Sequence, residues 1–552
     1  INSESNTINL TGNISTTGTA SYGIYFDSNT DSNNTNITGN ITTTAENTHG
    51  IYLFDSDNNT FELNGDIDIS GFNAYAIFNE LSSQGNSFVI DGLVKKSDNS
   101  DNSAYALYNL GGINNLTLES SAGITATASD ALAYGVRNQD SATITSFTNG
   151  GIIKAIASNR QAYGISNYNL SSITELTNSG TITAQAGSTA RGISNHTSSI
   201  VSLTNTGEIS ASVNNQTAVS ISNHSGTITT LINSGTIKAT ASDNAYAIQN
   251  YDGGEITTLI NTGTISAVAS NDTAYGIYVN DGPGLSSTIS TLTNTGTISG
   301  SVTGSGLDAF DIKNDGVITT FNNQQTGLTY SGTLPVNYNI IINSPTSYGQ
   351  MFVTSEAGST NFGVSSASNK ITIGKYTNVM TGVSDGNVGA TRTGSLTGDG
   401  QSAVGTANWV LSETASGSSA WDLNITGDYV YFGSVATLQN SVNNTASAMR
   451  GAFNSMTSSM NFANMTTYDC NLFGNNGGCV SVGGRYTGTD NPDTTATAVV
   501  AKAGYKFNEH FRYGAFVDQT ANSKTGNVDL DMNTPMVGFM GVWNQNPDQL
   551  GM

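Results

Sequence analysis

Residues 177–203 read TNSGTITAQAGSTARGISNHTSSIVSL. Near the start, Ile182, Ala184 and Ala186 alternate with Thr181, Thr183 and Gln185. That period of two belongs to an extended strand, whose side chains point to opposite faces in turn. An A-x-G-I-x-N segment (190–195) and a shorter I-x-x-L segment (200–203) follow. β-Branched Thr and Ile dominate and Gly punctuates the ends. The expectation is therefore three short strands joined by corners, with no helix.

The same unit recurs from residue 1 to about 326. Its first-strand glycines are Gly12, Gly39, Gly65, Gly92, Gly123, Gly151, Gly180, Gly207, Gly235, Gly263, Gly296 and Gly316. From Gly123 to Gly263 the interval is nearly constant, and only the last two intervals stray far, as terminal copies of a solenoid often do. Ile209, Ile237, Ile265 and Ile298 repeat the inward position of Ile182. Three strands in each copy of about 27 residues close one coil of a right-handed parallel β-helix, an all-β fold. Coils one strand spacing apart, about 4.8 Å, predict a rod on the order of 50 Å long. Stacking coils buries an apolar stripe that no single coil can bury alone.

Two asparagine columns follow from this register. One comprises Asn149, Asn178, Asn205, Asn233, Asn261, Asn294 and Asn314; the other Asn79, Asn109, Asn138, Asn167, Asn195, Asn223 and Asn250. Stacked side-chain amides bond along a fibre axis and suit corners, so these columns read as structural ladders, with a glycan-binding strip as the functional alternative.

Composition agrees with a long, thin-cored β-structure. Only 36% of the residues are hydrophobic, below the roughly 45–50% of ordinary globular domains. The 17 basic against 40 acidic residues give a net charge of −23, which supplies no basic stripe for nucleic acid. At 10% charged residues, with regularly spaced Ile and Leu, the chain is not a disordered acidic tail either.

Periodicity fails after about Gly327. Residues 327–427, with Trp409 and Trp421, read as a capping β-domain over the last coil's open edge. Residues 428–465 hold the one helical pattern: Val435, Leu438, Val442, Ala446, Met449 and Phe453 recur at spacings of three and four. Its other face is small or polar, which suits a narrow hydrated channel. Residues 466–552 then alternate again, as in Val480, Val482 and Tyr486 against Ser481, Gly483 and Arg485. Segments of about 8–11 residues with aromatic ends are the pattern of outer-membrane β-barrel strands. Only four are countable where the smallest such barrels need eight, so on this reading the barrel is incomplete and does not insert as written.

Repeated coils, a cap, a channel-width helix and barrel strands, in that order, make the chain resemble a monomeric autotransporter (type V secretion) of Gram-negative bacteria. The resemblance covers essentially the whole chain. It implies a passenger threaded through its own C-terminal barrel, a location in the outer membrane with the passenger on the cell surface or released, and the barrel-assembly machinery as a partner. The passenger's expected role is that of an adhesin or surface scaffold meeting host or neighbouring-cell ligands, glycans among them. The segment 442–450, VNNTASAMR, is similar to the self-cleavage helix of one autotransporter subgroup, which would place a cut between Asn443 and Asn444.

Chemistry is thinly represented. Cys470 and Cys479 enclose a short glycine-containing segment and read as a local disulfide, since no further Cys or His is placed to complete a metal site. His196 and His224 occupy equivalent places in successive copies and should stack, by default as exposed turn residues. A Ser–His–acid triad, which needs a strained nucleophile turn, is not expected. Asp243 and Asp272, each two residues before an A-Y strand, are the best acidic pair for the alternative reading, a glycan-degrading lyase or hydrolase. A tailspike-like fibre is a third reading. Asp55–Asn59 and Asp529–Asn533 lack the Gly and distal Glu of a calcium loop. The expectation is a non-enzymatic protein with no cofactor and no metal.

Overall fold

Alternating Ile, Ala and Leu can be buried only if each strand has neighbours on both edges and a second sheet against its apolar face. The chain achieves this by coiling. The computed structural model describes residues 5–98, 102–304, 308–368, 370–396, 407–427, 430–431, 470, 472–490, 493–525 and 535–545. Residues 1–432 and 433–552 form two compact units. The first is a parallel β-solenoid of about 13 turns.

One central coil shows the plan. Thr181–Ala186 lies in a sheet of G-x-I-x-A strands, here the Ala sheet. Thr189–His196 lies in the Tyr sheet, named for its A-Y-G-I-x-N strands. Ser199–Asn205 lies in the Leu sheet of I-x-x-L-x-N strands. Each pairs in parallel with its counterpart one coil on: Ile182 with Ile209, Ile193 with Ile221, Leu203 with Leu231. All six are fully buried. Each such Ile or Leu stabilises the rod by roughly 1.5–3 kcal/mol. The I-x-x-L strand, expected to be the shorter one, spans seven residues against six for the Ala strand.

Corners pack as tightly as strands. A Cβ added to Gly207 would stand 2.0 Å from the carbonyl oxygen of Gly180 on the neighbouring coil, so the corner tolerates no side chain. One interior position is charged. Lys96 stands where its neighbours carry Ile69 and Ala126. Its buried ammonium donates to the carbonyls of Gly71 and Ser97 and to Asp98 at 3.1 Å.

The parallel register outlasts the sequence repeat. The Ala sheet ends at Thr297–Val302, but the Tyr and Leu sheets run on through Leu328–Thr333, Asn337–Ile340, Met351–Ala357 and Asn361–Val364. With one wall gone, bulkier side chains (Tyr330, Tyr338, Met351, Phe362) fill the interior, which hides the period from a pattern built on Ile and Ala. Gly374–Thr381 then pairs in parallel with Met351–Ala357 on one edge and antiparallel with Ala420–Gly427 on the other. Trp421 donates its indole N–H to the carbonyl of Val383 at 2.8 Å, and Trp409 packs edge-on against Phe362.

The second unit contains a four-stranded antiparallel sheet, Gly478–Asp490, Asp493–Lys506, Phe511–Thr525 and Met536–Trp543. Residues 432–469, with the expected helix and the Asn443–Asn444 pair, lie outside the described residues, as does 529–533. Among the described residues no helix is long and apolar enough to cross a membrane.

Candidate functional site

The asparagine columns are interior. Asn149 donates its amide N–H to Asn178 Oδ1 at 2.7 Å, and the relay continues through Asn205, Asn233 and Asn261 to Asn294 at 2.7–2.8 Å. Every member is at most 1% exposed, which leaves no surface for a glycan strip there. Asn314 departs from the expected column. Asn294 pairs with Asn323, and Asn314 stands in the Tyr sheet beside Val279. Its N-D-G-V-I context copies the motif of the other corner but leads into the Leu strand Val317–Asn323; Gly316 likewise packs on Ser287, not on Gly296. The second column runs from Asn79 to Asn250 at 2.7–2.8 Å. Its residues do not hold the unusual backbone themselves. Asn169, Thr197, Ser225 and Asp252, just beyond the strand ends, take the positive φ. An unforeseen run, Asn33, Asn59 and Asn86, extends this second ladder and joins it where Asn86 donates to Asn79 at 3.0 Å.

Asp243 and Asp272 sit at equivalent corners of successive coils, half-buried and exposed respectively. Neither lines the groove described next, and no group of three or more His, Cys, Asp or Glu among the described residues could hold a metal ion. A G-x-S-x-G stretch does occur, GVSDG at 382–386. Its Ser384 caps a single 3-10 turn, Asp385–Asn387, and donates its hydroxyl to the Glu356 carboxylate. A nucleophile turn leads instead from a strand into a helix and needs a histidine base, and Ser384 has no histidine partner among the described residues.

The outer face of the Tyr sheet carries the most elaborate surface. Rings stack up it coil by coil: Tyr105 on Tyr134 at 4.9 Å, Tyr134 on Tyr163 at 4.8 Å. A second column runs Tyr168, His196, His224, Tyr251, with centroids 4.9, 4.3 and 4.4 Å apart. His196 and His224 are therefore half-buried strand residues inside an aromatic column, not exposed turn residues. Between the columns lies a groove of about 400 Å³. Tyr134, Tyr163 and Arg191 form one wall, Tyr168 to Tyr251 the other, and Arg137, Ser166 and Ser194 the floor.

Electrostatics set this groove apart. The Arg137 guanidinium stacks over Tyr134 at 4.4 Å and Tyr168 at 4.9 Å; Arg191 lies over Tyr163 at 5.5 Å. Neither has a carboxylate within 4 Å among the described residues, a condition they share with Lys154, Arg160 and Lys238 but not with Lys95, Lys96, Lys313, Lys375, Arg392 or Arg485. Burial lowers the pKa of His196 and His224, and Arg191 lowers both further; Asp252, 3.1 Å from His224 Nε2, partly restores that of His224. Burial pushes the Tyr134 hydroxyl well above its usual range, so it stays a neutral donor. The near-constant interval through Gln139, Tyr168, His196, His224 and Tyr251 was visible in the sequence. What faces that column across the groove was not.

The four-stranded sheet offers a different surface. Val480, Ala503, Ala515 and Phe539 lie abreast on one face, with Val482, Ala501, Val517 and Val537 beside them. Val480 is 83%, Phe539 87% and Trp543 66% exposed. The opposite face carries Lys502, Arg512 and the Arg485–Asp518 ion pair at 3.0 Å. Cys470 and Cys479 form a disulfide. No family model matches the chain, and neither a curated protein nor a solved structure matches it.

Proposed function

We propose that the chain is a self-secreted bacterial surface protein of the autotransporter kind. Its β-solenoid is the displayed passenger, acting as an adhesin or rigid scaffold, and its C-terminal strands belong to an outer-membrane barrel. The observation that carries this is the orientation of the four-stranded sheet. A water-soluble sheet hides its apolar face, but here that face is the bare one, and the sheet's charges and ion pair lie on the opposite, mixed face beside Val500, Phe516 and Met540. Apolar outside and polar inside is the arrangement that lipid on one side and a hydrated lumen on the other select. The Cys470–Cys479 disulfide fits an oxidising envelope compartment. A long solenoid upstream fits a passenger, since a rod of many similar coils binds by many weak contacts.

Protease added to intact Gram-negative cells that export the chain with its barrel completed to at least eight strands should digest the solenoid while the strands after Cys470 stay in the outer-membrane fraction. A solenoid that remains protected while those strands are membrane-bound overturns the reading.

A further inference from the structure

In a chain of net charge −23, two guanidiniums without carboxylate partners facing one groove need a reason. The acids that flank the groove are already engaged. Asp140 accepts from Asn169 and Gln139 at one end, and Asp252 accepts from His224 at the other. More distant carboxylates act weakly, because charges further than a Debye length of about 8 Å are largely screened at physiological salt. Neither the Asp140 nor the Asp252 carboxylate lies within 4 Å of Arg137 or Arg191, so the stretch around the two guanidiniums is donor-rich. Arg137 uses one N–H on Gln139 and another on Ser166, and Arg191 uses one on Tyr163, of the five each possesses.

The rings decide how a ligand is held. Most of them stack face to face along the rod, with His196 and His224 meeting edge to face, so most ring faces are covered by neighbouring rings. Ring edges are the positive rim of the aromatic quadrupole. Both walls and the floor thus favour an electron-rich ligand over an apolar plate. The groove follows the rod axis, and although Arg137 and Arg191 belong to strands two coils apart, both guanidiniums reach the coil between them, Arg137 to Ser166 and Arg191 to Tyr163.

We propose that the groove between Arg137 and Tyr251 binds a linear acidic polysaccharide, bearing carboxylates or sulfates, laid along the rod axis. The inference rests on the reading that the solenoid works by contact outside the cell, and it names the site and the ligand class of that contact. Polyhydroxylated sugars suit the serine floor and the tyrosine hydroxyls, and the acidic groups suit the guanidiniums through charge-assisted hydrogen bonds.

The test passes the full chain over immobilised heparin, polygalacturonate and neutral dextran. Retention is expected on at least one of the acidic polymers and not on dextran; the polymer that retains the chain tells sulfate from carboxylate. Arg137→Gln with Arg191→Gln should weaken retention at least about tenfold and flatten its salt dependence. Lys154→Gln with Lys238→Gln, on the Ala sheet, should change it by less than about twofold, the range of a screened surface charge. Ser194→Phe, which fills the floor and keeps both guanidiniums, should also abolish retention and decides the matter if the arginine variant misfolds. Equal binding to dextran, equal loss in the lysine control, or no retention on any acidic polymer overturns the proposal. A chain that fails to bind but is still shaved from intact cells loses this inference alone; one that binds but is never displayed loses the autotransporter reading alone.

Discussion

The solenoid and the four-stranded sheet are written in the same alternating pattern and resolve it in opposite ways. In the solenoid, Ile182, Ile193 and Leu203 point into a space closed by three sheets and are fully buried. In the second unit, Val480, Val482 and Phe539 alternate just as regularly, yet they form the exposed face. Alternation fixes which residues share a face. It does not fix which face meets water, and that depends on what the backbone pairing leaves available to cover each side.

The sharpest way to break this comparison is to place a charge on each apolar face. Ile209→Asp puts an unpaired carboxylate inside the rod and should cost more than about 4 kcal/mol, seen as early local unfolding of the adjoining coils by hydrogen exchange. Val482→Lys in the chain in water should leave stability nearly unchanged and raise solubility. If both substitutions unfold their regions equally, the exposed face is not exposed in solution.

The solenoid should also respond to acid. His49 lies between Tyr22 and Tyr75, and its Nδ1 accepts the backbone N–H of Tyr75 at 3.1 Å, so the ring is neutral. Burial lowers its pKa to about 4. The unfolded chain binds this proton near pH 6.5 and the folded one only near 4. Stability is therefore lost as pH falls through that window, about 3 kcal/mol in all, and no further loss follows below it. Chemical denaturation of the N-terminal coils at pH 7.5 and pH 4 measures the difference, and His49→Leu should remove it.

A smaller effect is expected inside the ladder. Asn205→Ala takes from Asn178 the nearest of its three acceptors and from Asn233 its ladder donor, both residues fully buried, at a cost of about 1–3 kcal/mol. Asn408→Ala, on an exposed antiparallel strand at the end of the solenoid unit, should cost less than about 0.5 kcal/mol in the same denaturation series. Smallest is a gain. Ser220 has a buried hydroxyl with no partner among the described residues, so Ser220→Ala should stabilise the rod by about 1 kcal/mol.

Much of the solenoid was legible because its core is periodic. Repetition at a near-constant interval set the coil, and the period of two set which residues point inward. Legibility failed where period and geometry part. Asn314 and Gly316 sit in the motif of one corner but occupy the other, because pairing with Val279 and Ser287 decides their place. The turns beyond residue 326 were missed because Tyr330, Tyr338 and Phe362 fill a two-walled interior that a three-walled pattern does not describe.

By itself the sequence determined the all-β coil, its repeat and which residues share a face in the C-terminal strands, since each depends on spacing along one chain. Only the tertiary structure decided that Arg137 and Arg191 face the His196–His224 column across one groove, that Lys96 is enclosed with Asp98, and that the apolar face of the last sheet lies bare. Those outcomes depend on which strands and coils come to lie side by side. Burial and pairing of charge are properties of neighbours in space, and no spacing along the chain encodes them directly.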